Sequence, residues 1–177
     1  MKKLSFLFIT IGLITGCNTT TTPEKDTVLK IINEELHYPR IIDYEIFCSD
    51  PAYAKKLLDL ELDKADMVTI QKTQKLKDIG SPLISFTETA RPYLIETGDR
   101  EKELDIQKVK IAEETISHID LGSINETDGK TSIPITYTVT CTNITPFSVL
   151  MKRDFSKPKS HSATLVFING KWRLTKP

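Results

Sequence analysis

The amino-acid sequence predicts an α+β fold, with N-terminal helices packed on a C-terminal antiparallel sheet. Two stretches with apolar residues at helical spacing lie before residue 67, whereas alternating apolar and polar residues dominate the remainder. An Asn-Gly pair near the C-terminus lies between two alternating stretches, which is the pattern of a tight β-hairpin. Helices followed by strands indicate helices on one face of an antiparallel sheet.

The first predicted helix begins at residues 22–24. Thr22 suits the capping position, Pro23 the first helical position and Glu24 the positive end of the helix. Pro39 ends the helix, because helical geometry is disfavoured in the residue before a proline. The apolar face of this helix comprises Val28, Ile32 and Leu36. The apolar residues 41–48 then predict a short strand.

A second helix is predicted over residues 51–66, with Asp50 as its cap and Pro51 at its first position. Its buried stripe is predicted to be Ala54, Leu58, Leu62 and Ala65. Its acidic run lacks the central glycine and the terminal bidentate glutamate of an EF-hand calcium loop. We therefore interpret that run as a solvated helix face, formed by Asp59, Glu61, Asp63 and Asp66.

Extended structure is predicted from residue 67 onwards. The first strands are expected over residues 67–76 and 83–86, with a turn between them. A longer strand is expected over residues 109–121. Its alternation changes phase near Glu113 and Glu114, where we expect a bulge.

The C-terminal third has the clearest strand patterns. Residues 125–130 are expected to connect the long strand to one over residues 133–142, which has an apolar and a threonine-rich face. Residues 165–174 predict a hairpin, because Asn169 and Gly170 tolerate the positive φ of a two-residue turn. This turn pairs Phe167 with Trp172 and Leu165 with Leu174, which predicts that Trp172 is a core residue.

The final strands, with the Gly-Lys-Trp-Arg-Leu segment at residues 170–174, resemble the last strands of the ketosteroid-isomerase-like cone and of related cystatin-like α+β domains. The resemblance implies a cone-like sheet with helices on one face. The predicted helix over residues 51–66, with the extended stretch after it, also resembles a winged-helix turn. The alternative architecture is therefore a winged-helix-like segment beside an antiparallel sheet.

The first 17 residues resemble the signal peptide of a bacterial lipoprotein. Lys2 and Lys3 precede an apolar run that is shorter than the ~20 residues needed to span a bilayer. Residues 14–17, Ile-Thr-Gly-Cys, then match the lipobox of that family. The resemblance implies that Cys17 receives a diacylglyceryl thioether, that a peptidase cuts between Gly16 and Cys17, and that the new amino group is acylated.

The resemblance implies a signal peptide over residues 1–16 and a lipidated cysteine with a polar tether over residues 17–22. A single α+β domain is expected over residues 23–177. The five tether residues after the cysteine span at most ~17 Å, so we expect the domain to lie close to the membrane. Asn18 stands where an aspartate would favour the inner membrane, which implies the periplasmic face of the outer membrane. The inner membrane and the cell surface are the alternatives.

Charge and composition exclude several classes of protein. The chain has 24 Lys and Arg against 24 Asp and Glu, a balance that argues against a nucleic-acid binder. Without residues 1–16, 22 basic residues face 24 acidic ones, and this charge of −2 predicts no electrostatic attraction to anionic lipid. No zinc-type Cys or His spacing and no phosphate-binding glycine loop is present, so we expect no metal and no cofactor.

Cys48 and Cys141 are the cysteines that remain besides Cys17. In an oxidising periplasm such a pair indicates a disulfide, and the alternative is two separate buried thiols. Neither has a neighbouring base in the sequence that would mark a catalytic thiol.

No pattern of residues identifies a reaction. The histidines, His37, His118 and His161, are far apart in the sequence, and the spacing of Tyr44, Tyr137, Asp43 and Asp120 does not match the acid and base of a cone-fold isomerase. The leading hypothesis is a non-enzymatic, membrane-anchored envelope protein that binds a protein or a small apolar ligand. The alternatives are an envelope enzyme or isomerase with a cone-fold pocket, and an immunity protein against a periplasmic toxin.

Overall fold

The structure, a computed structural model, describes residues 22–75 and 81–175. Its main feature is a large, curled antiparallel sheet accompanied by few helices, a mixed α and β architecture. The helices are α1 (Lys25–Leu36), α2 (Pro51–Asp59) and α3 (Asp99–Glu103). The strands of the main sheet are β1 (Arg40–Phe47), β4 (Leu94–Ile95), β5 (Ile106–Leu121), β6 (Asn125–Thr127), β7 (Lys130–Thr142), β8 (Lys159–Ile168) and β9 (Lys171–Thr175).

The order of the long strands across the main sheet is β1-β5-β7-β8-β9, with every neighbouring pair antiparallel. The short strand β4 pairs with β5, and β6 forms a hairpin with β7. A separate two-stranded sheet consists of β2 (Val68–Ile70) and β3 (Ile84–Phe86). Single-turn 3₁₀ segments lie at Arg91–Tyr93 and Pro146–Leu150.

Helix α1 begins slightly later than the sequence predicts. Glu24, not Thr22, occupies the capping position, and its side chain makes no capping hydrogen bond. The backbone carbonyl of Glu24 accepts a hydrogen bond from the amide of Val28, which starts the helical ladder. At the other end, His37 has a left-handed conformation that ends the helix before Pro39, as expected.

Helix α2 has the predicted start but not the predicted end. The Asp50 side chain accepts a hydrogen bond from the amide of Ala52 at 2.7 Å, which confirms the cap. The prediction of a helix to residue 66 was wrong, because α2 ends at Asp59 and Glu61 has a left-handed φ of 57°. This reversal turns Leu62 inward, where it is buried, whereas Ala65 is exposed.

The strand predictions differ from the structure in detail. Strand β2 is shorter than the stretch 67–76, and residues 125–127, expected to lie in a connection, form β6. The expected bulge near Glu113 and Glu114 is present on the β1 side of β5, where Ile111 has no partner between Lys110, opposite Asp43, and Ala112, opposite Ile42. The buried positions change phase there, and a second irregularity on the β7 side falls between Ile116 and His118.

The C-terminal hairpin is confirmed. Asn169 and Gly170 have φ of 50° and 78°, and Phe167 pairs with Trp172 as predicted. Trp172 packs against the buried residues beneath the hairpin but is itself only partly buried, on the edge strand β9. The expectation of a core residue is therefore confirmed in part.

The buried side chains form two clusters. The first, here the α1 cluster, joins α1 to the middle of β7 and β8; its members include Val28, Ile32, Ile133, Ile135 and Leu165. The second, the α2 cluster, joins α2 to β1, β2, β3 and the first half of β5; its members include Ile46, Leu57, Val109, Ile111 and Phe147. Strand β5 runs through both, so the clusters lie at opposite ends of one long strand.

Phe147 is the largest fully buried side chain of the α2 cluster, with its ring centroid 6.2 Å from that of Phe86. Phe147→Ala is expected to lower the free energy of unfolding by about 3–5 kcal/mol, because it leaves a cavity that the neighbours cannot fill. Val149→Ala changes an exposed position of the same turn and is expected to cost less than about 0.5 kcal/mol. Urea titration of both variants measures this, and equal losses would contradict the placement of Phe147.

Candidate functional site

The lipidation and cleavage residues predicted from the sequence, Gly16 and Cys17, lie outside the described residues. The predicted disulfide joins described residues, and the structure has Cys48 and Cys141 as free thiols. The register explains their separation. Cys141 is opposite Glu114, and Glu114 is opposite Arg40, so Cys141 lies two strands from Arg40. Cys48 follows eight residues after Arg40, or ~26 Å of extended chain, far beyond the ~7 Å that two bonded cysteine Cα atoms allow.

The two thiols have different surroundings. Cys48 is buried, and burial raises the pKa of its thiol, which therefore stays protonated. The Cys141 sulfur accepts a hydrogen bond from Arg153 Nη2 at 3.4 Å. The alternative of two separate buried thiols matches Cys48, whereas Cys141 is only partly buried.

The structure does not bring the histidines together. His37 ends α1, and His118 lies 3.0 Å from Asp120 at an exposed position of β5. His161 stacks on Tyr137, with ring centroids 5.3 Å apart. Among the described residues, no group of three or more His, Cys, Asp or Glu side chains could hold a metal ion.

The tyrosine and aspartate candidates are also dispersed. Tyr137 belongs to the α1 cluster, whereas Tyr44 packs against the α2 cluster and its hydroxyl accepts a hydrogen bond from Lys56 at 2.8 Å. Asp43 is exposed on β1, and Asp120 is exposed on β5. No acid and base pair of the isomerase type therefore forms from these residues.

A buried ion cluster lies where the two apolar clusters meet. Glu114, which is 5% exposed, follows Ala112 of the α2 cluster and precedes Ile116 of the α1 cluster on the same face of β5. Its Oε2 accepts hydrogen bonds from Arg40 Nε, at 3.0 Å, and from Arg40 Nη2. Its Oε1 accepts one from Arg153 Nη2 at 2.9 Å.

The two arginines determine the charge state of Glu114. Burial raises the pKa of this carboxyl, but the hydrogen bonds from Arg40 and Arg153 outweigh burial and hold the pKa below its usual value. Both oxygens are occupied by guanidinium donors, so the carboxylate is neither a proton donor nor a free base at neutral pH. The arginines are themselves packed on aromatic rings, Arg40 on Tyr38 and Arg153 on Phe155, each about 5.2 Å from the ring centroid.

Sequence reasoning did not identify this ion cluster, although one signal for it exists. Glu114 occupies the same alternation phase as Ala112 and Ile116, so a charged residue interrupts an apolar face. A buried carboxylate requires cationic partners. The sequence alone does not reveal which cations, because Arg40 and Arg153 are 74 and 39 residues away.

Two grooves flank helix α2 on its exposed sides. The first groove, of about 520 Å³, lies between α2 and the β2–β3 sheet, with Leu58, Ile70 and Leu83 in its floor. The second groove, also of about 520 Å³, lies between α2 and the turn over Pro146–Leu150, with Leu60 and Val149 in its walls. Val149 is 50% exposed, so the second groove has apolar surface in contact with solvent.

Lysines surround both grooves. Lys55, Lys56, Lys72 and Lys152 line them, and Asp59 is the one carboxylate among the described lining residues. Lys55 pairs with Asp59, and Lys56 donates to Tyr44 and to the carbonyl of Leu150. Lys72 and Lys152 form no ion pair with another described residue. The surface on either side of α2 is thus apolar at its floor and positively charged at its rim.

Comparison of the chain with protein-family models, curated proteins and solved structures gave no match.

None of the helices in the described ranges has the length and apolar character needed to cross a membrane.

The lowered pKa of Glu114 makes a pH-dependent contribution to stability. A carboxyl with a lowered folded-state pKa stabilises the fold above its unfolded pKa of ~4.3, and this contribution is lost as the pH falls through the folded value. Glu114→Gln is therefore expected to lower the free energy of unfolding by about 2–3 kcal/mol at pH 7, because two arginines lose their counter-charge. The difference from the wild type should shrink below about pH 4.

Urea titrations at a series of pH values measure this difference. Glu126→Gln, at an exposed position of β6, is the matched control and should leave the pH profile unchanged. A difference between Glu114→Gln and the wild type that stays constant down to the lowest pH would contradict the ionised state of Glu114.

Proposed function

We propose that this chain is a lipid-anchored protein of the bacterial envelope that acts as a non-enzymatic binding module. The observation that carries the proposal is the lipobox at residues 14–17, which places a cysteine where lipoproteins are acylated. A Cys17 with two or three acyl chains would hold the protein stably, because each buried methylene contributes about 0.8 kcal/mol and stable anchoring takes two chains. The proposed site is the periplasmic face of the outer membrane, with the inner membrane and the cell surface as alternatives.

The position of α1 indicates at which end of β5 the chain from the proposed anchor would enter the fold. Lys25, at the start of α1, lies 3.8 Å from Asp120 near the end of β5. The α2 cluster packs against the first half of β5, around Val109. Asp120 and Val109 are eleven residues apart, or ~36 Å of extended chain. The chain therefore enters the fold far from the two grooves, which supports a binding surface held away from the membrane.

The chemistry of the grooves favours a protein partner. Apolar floors of about 520 Å³ accept aliphatic or aromatic side chains, and the lysine rims favour carboxylates between them. We propose that the occupant is an acidic segment of an envelope protein with apolar anchor residues. The same surface would suit the acidic face of a periplasmic toxin, which keeps an immunity protein as the second candidate.

The state of Glu114 weighs against the isomerase alternative. That alternative requires a carboxylate of raised pKa near Tyr137, in the manner of a cone-fold base. Glu114 has a lowered pKa and is occupied by two arginines. A non-enzymatic role therefore remains the better-supported proposal.

We also propose that the main sheet and α1 form a cone-like unit. The support is that α1 packs across one face of the curled sheet, from β5 to β9, where the amide of Leu174 donates to Glu35. The interior of the proposed cone is filled by the α1 cluster, so its contents are packed side chains.

The anchor is tested by fatty-acid labelling. Cys17→Ser is expected to abolish incorporation of labelled palmitate and to release the protein from the membrane fraction, because serine supplies no sulfur to alkylate. Cys141→Ser is the control and should be labelled like the wild type. Unchanged labelling of Cys17→Ser would refute the anchor.

The grooves are tested by site-specific photocrosslinking in intact cells. A photoreactive residue at position 72 or 149 is expected to give one shared adduct, and the same residue at Ser162, an exposed position of β8, should not. With the photoreactive residue at position 149, Lys152→Glu should reduce that adduct several-fold, because it places like charge against an acidic partner. Lys159→Glu is the charge-matched control. An adduct that is insensitive to Lys152→Glu would argue against an acidic occupant.

A further inference from the structure

The C-terminal hairpin is basic, although the chain as a whole is not. From Lys157 to the last residue, the sequence contains five Lys or Arg residues and no Asp or Glu. Four of the five, Lys157, Lys159, Lys171 and Arg173, lie in the described part of the chain. A net charge averaged over all residues conceals this concentration.

Two turns lie side by side at the end of the sheet where this hairpin closes. One turn, at Asp128 and Gly129, joins β6 to β7, and the other, at Asn169 and Gly170, joins β8 to β9. Thr131, just after the first turn, pairs with Phe167, just before the second, so both turns project from the same end of the sheet.

An exposed isoleucine lies among basic side chains at this end. Ile168 is 46% exposed, pairs with Lys171 and lines a groove of about 570 Å³ together with Lys130. Arg173 pairs with Val166, two residues before Ile168 and therefore on the same face. We call this surface the hairpin-tip patch, formed by Lys130, Val166, Ile168, Lys171 and Arg173.

The cations of the hairpin-tip patch are available for binding. Lys130, Lys171 and Arg173 are exposed and form no ion pair with any residue in the described ranges. The carboxylates at this end, Glu126 and Asp128, belong to the neighbouring β6–β7 hairpin. The β8–β9 hairpin itself offers cations and an aliphatic side chain without a counter-charge.

We propose that the hairpin-tip patch binds the surface of an anionic phospholipid bilayer. Exposed aliphatic side chains with lysines and arginines around them are the composition of interfacial membrane contacts. Each basic side chain near such a surface strengthens the binding by electrostatic attraction to the lipid headgroups. The contact is a second attachment besides the lipid at Cys17, and in that respect the inference rests on the proposed function.

The tether permits both attachments to the same bilayer. Lys25 is eight positions after Cys17 in the sequence, and the chain between them reaches at most ~28 Å when extended. Lys25 lies beside Asp120, and Asp120 pairs with Thr136 of β7. Gly129, in the turn at the hairpin tip, is seven residues from Thr136 along β7, or ~23 Å of extended chain. The hairpin tip can therefore touch the membrane in which the acyl chains are inserted. In that orientation the α2 grooves point away from the bilayer.

Trp172 lies on the face of β9 that packs against the α1 cluster, opposite to Lys171 and Arg173, so the reporter is placed in the patch itself as Ile168→Trp with Trp172→Phe. The purified full-length protein with these two substitutions is mixed with vesicles of phosphatidylcholine, or of equal parts phosphatidylcholine and phosphatidylglycerol, both with brominated acyl chains. Quenching of the fluorescence from position 168 is expected to be at least about twofold stronger in the anionic vesicles and to fall with added salt.

Two double variants locate the contact. In anionic vesicles, Lys171→Gln with Arg173→Gln should reduce quenching to the level of phosphatidylcholine alone. Lys55→Gln with Lys72→Gln removes the same charge from the α2 grooves and should leave quenching unchanged. Equal quenching in both kinds of vesicle, or equal loss in both variants, would overturn the proposed contact.

Flotation of the vesicles separates this inference from the anchor. Protein that floats with phosphatidylcholine vesicles but shows no preferential quenching retains the anchor and refutes the hairpin contact. Protein that fails to float with phosphatidylcholine, yet is quenched in anionic vesicles at low salt, refutes the anchor and supports the hairpin contact.

Discussion

The fold depends on one buried carboxylate that is satisfied by two distant arginines. Glu114 lies on the apolar face of β5, and an ionised carboxylate in that place is unfavourable without cations beside it. Arg40 supplies one partner from the start of β1, and Arg153 supplies the other from the segment after the Pro146–Leu150 turn. The ion cluster thus fixes three separate parts of the chain at the boundary between the α1 and α2 clusters. A polar boundary of this kind makes the register of β1 on β5 specific, because a shift by one residue would leave Glu114 without Arg40.

The boundary at Glu114 also separates the end of the molecule near the proposed anchor from the end that carries the two grooves. The α1 cluster lies at the end of β5 where the chain enters from the proposed anchor, and the α2 cluster carries the two lysine-rimmed grooves. Because β5 passes through both clusters as one strand of 16 residues, the two ends are rigidly connected. Attachment at one end therefore determines where the grooves at the other end point. If a flexible link joined the two clusters, attachment at one end would not determine where the grooves at the other end point.

The sequence predicted the elements whose causes are local. The Asn169-Gly170 turn, the Asp50 cap and the strand after Pro39 each depend on residues within a few positions of one another, and each is present in the structure. The end of α2 was not predictable in this way, because the left-handed conformation at Glu61 serves to bury Leu62 among residues from other elements. The disulfide prediction had no geometric basis, since only the sheet register determines how far apart Cys48 and Cys141 lie. For the candidate sites, the sequence shows the lysines, but it does not show which apolar side chains the fold places beside them in the grooves.

The net charge does not reveal the basic hairpin, because it does not depend on how the fold arranges the charged residues in space. The charge of −2 for residues 17–177 sums over acidic and basic residues that the fold separates in space, and electrostatic attraction at physiological salt acts over only ~8 Å. At that range a bilayer in contact with the hairpin-tip patch would not interact with the carboxylates of the α2 end. Three cations near the surface would contribute on the order of 3 kcal/mol, which is too little to hold the protein alone but sufficient to orient a body already held by acyl chains. The lipid at Cys17 would therefore provide most of the affinity for the membrane, and the basic hairpin would set the orientation of the protein on it.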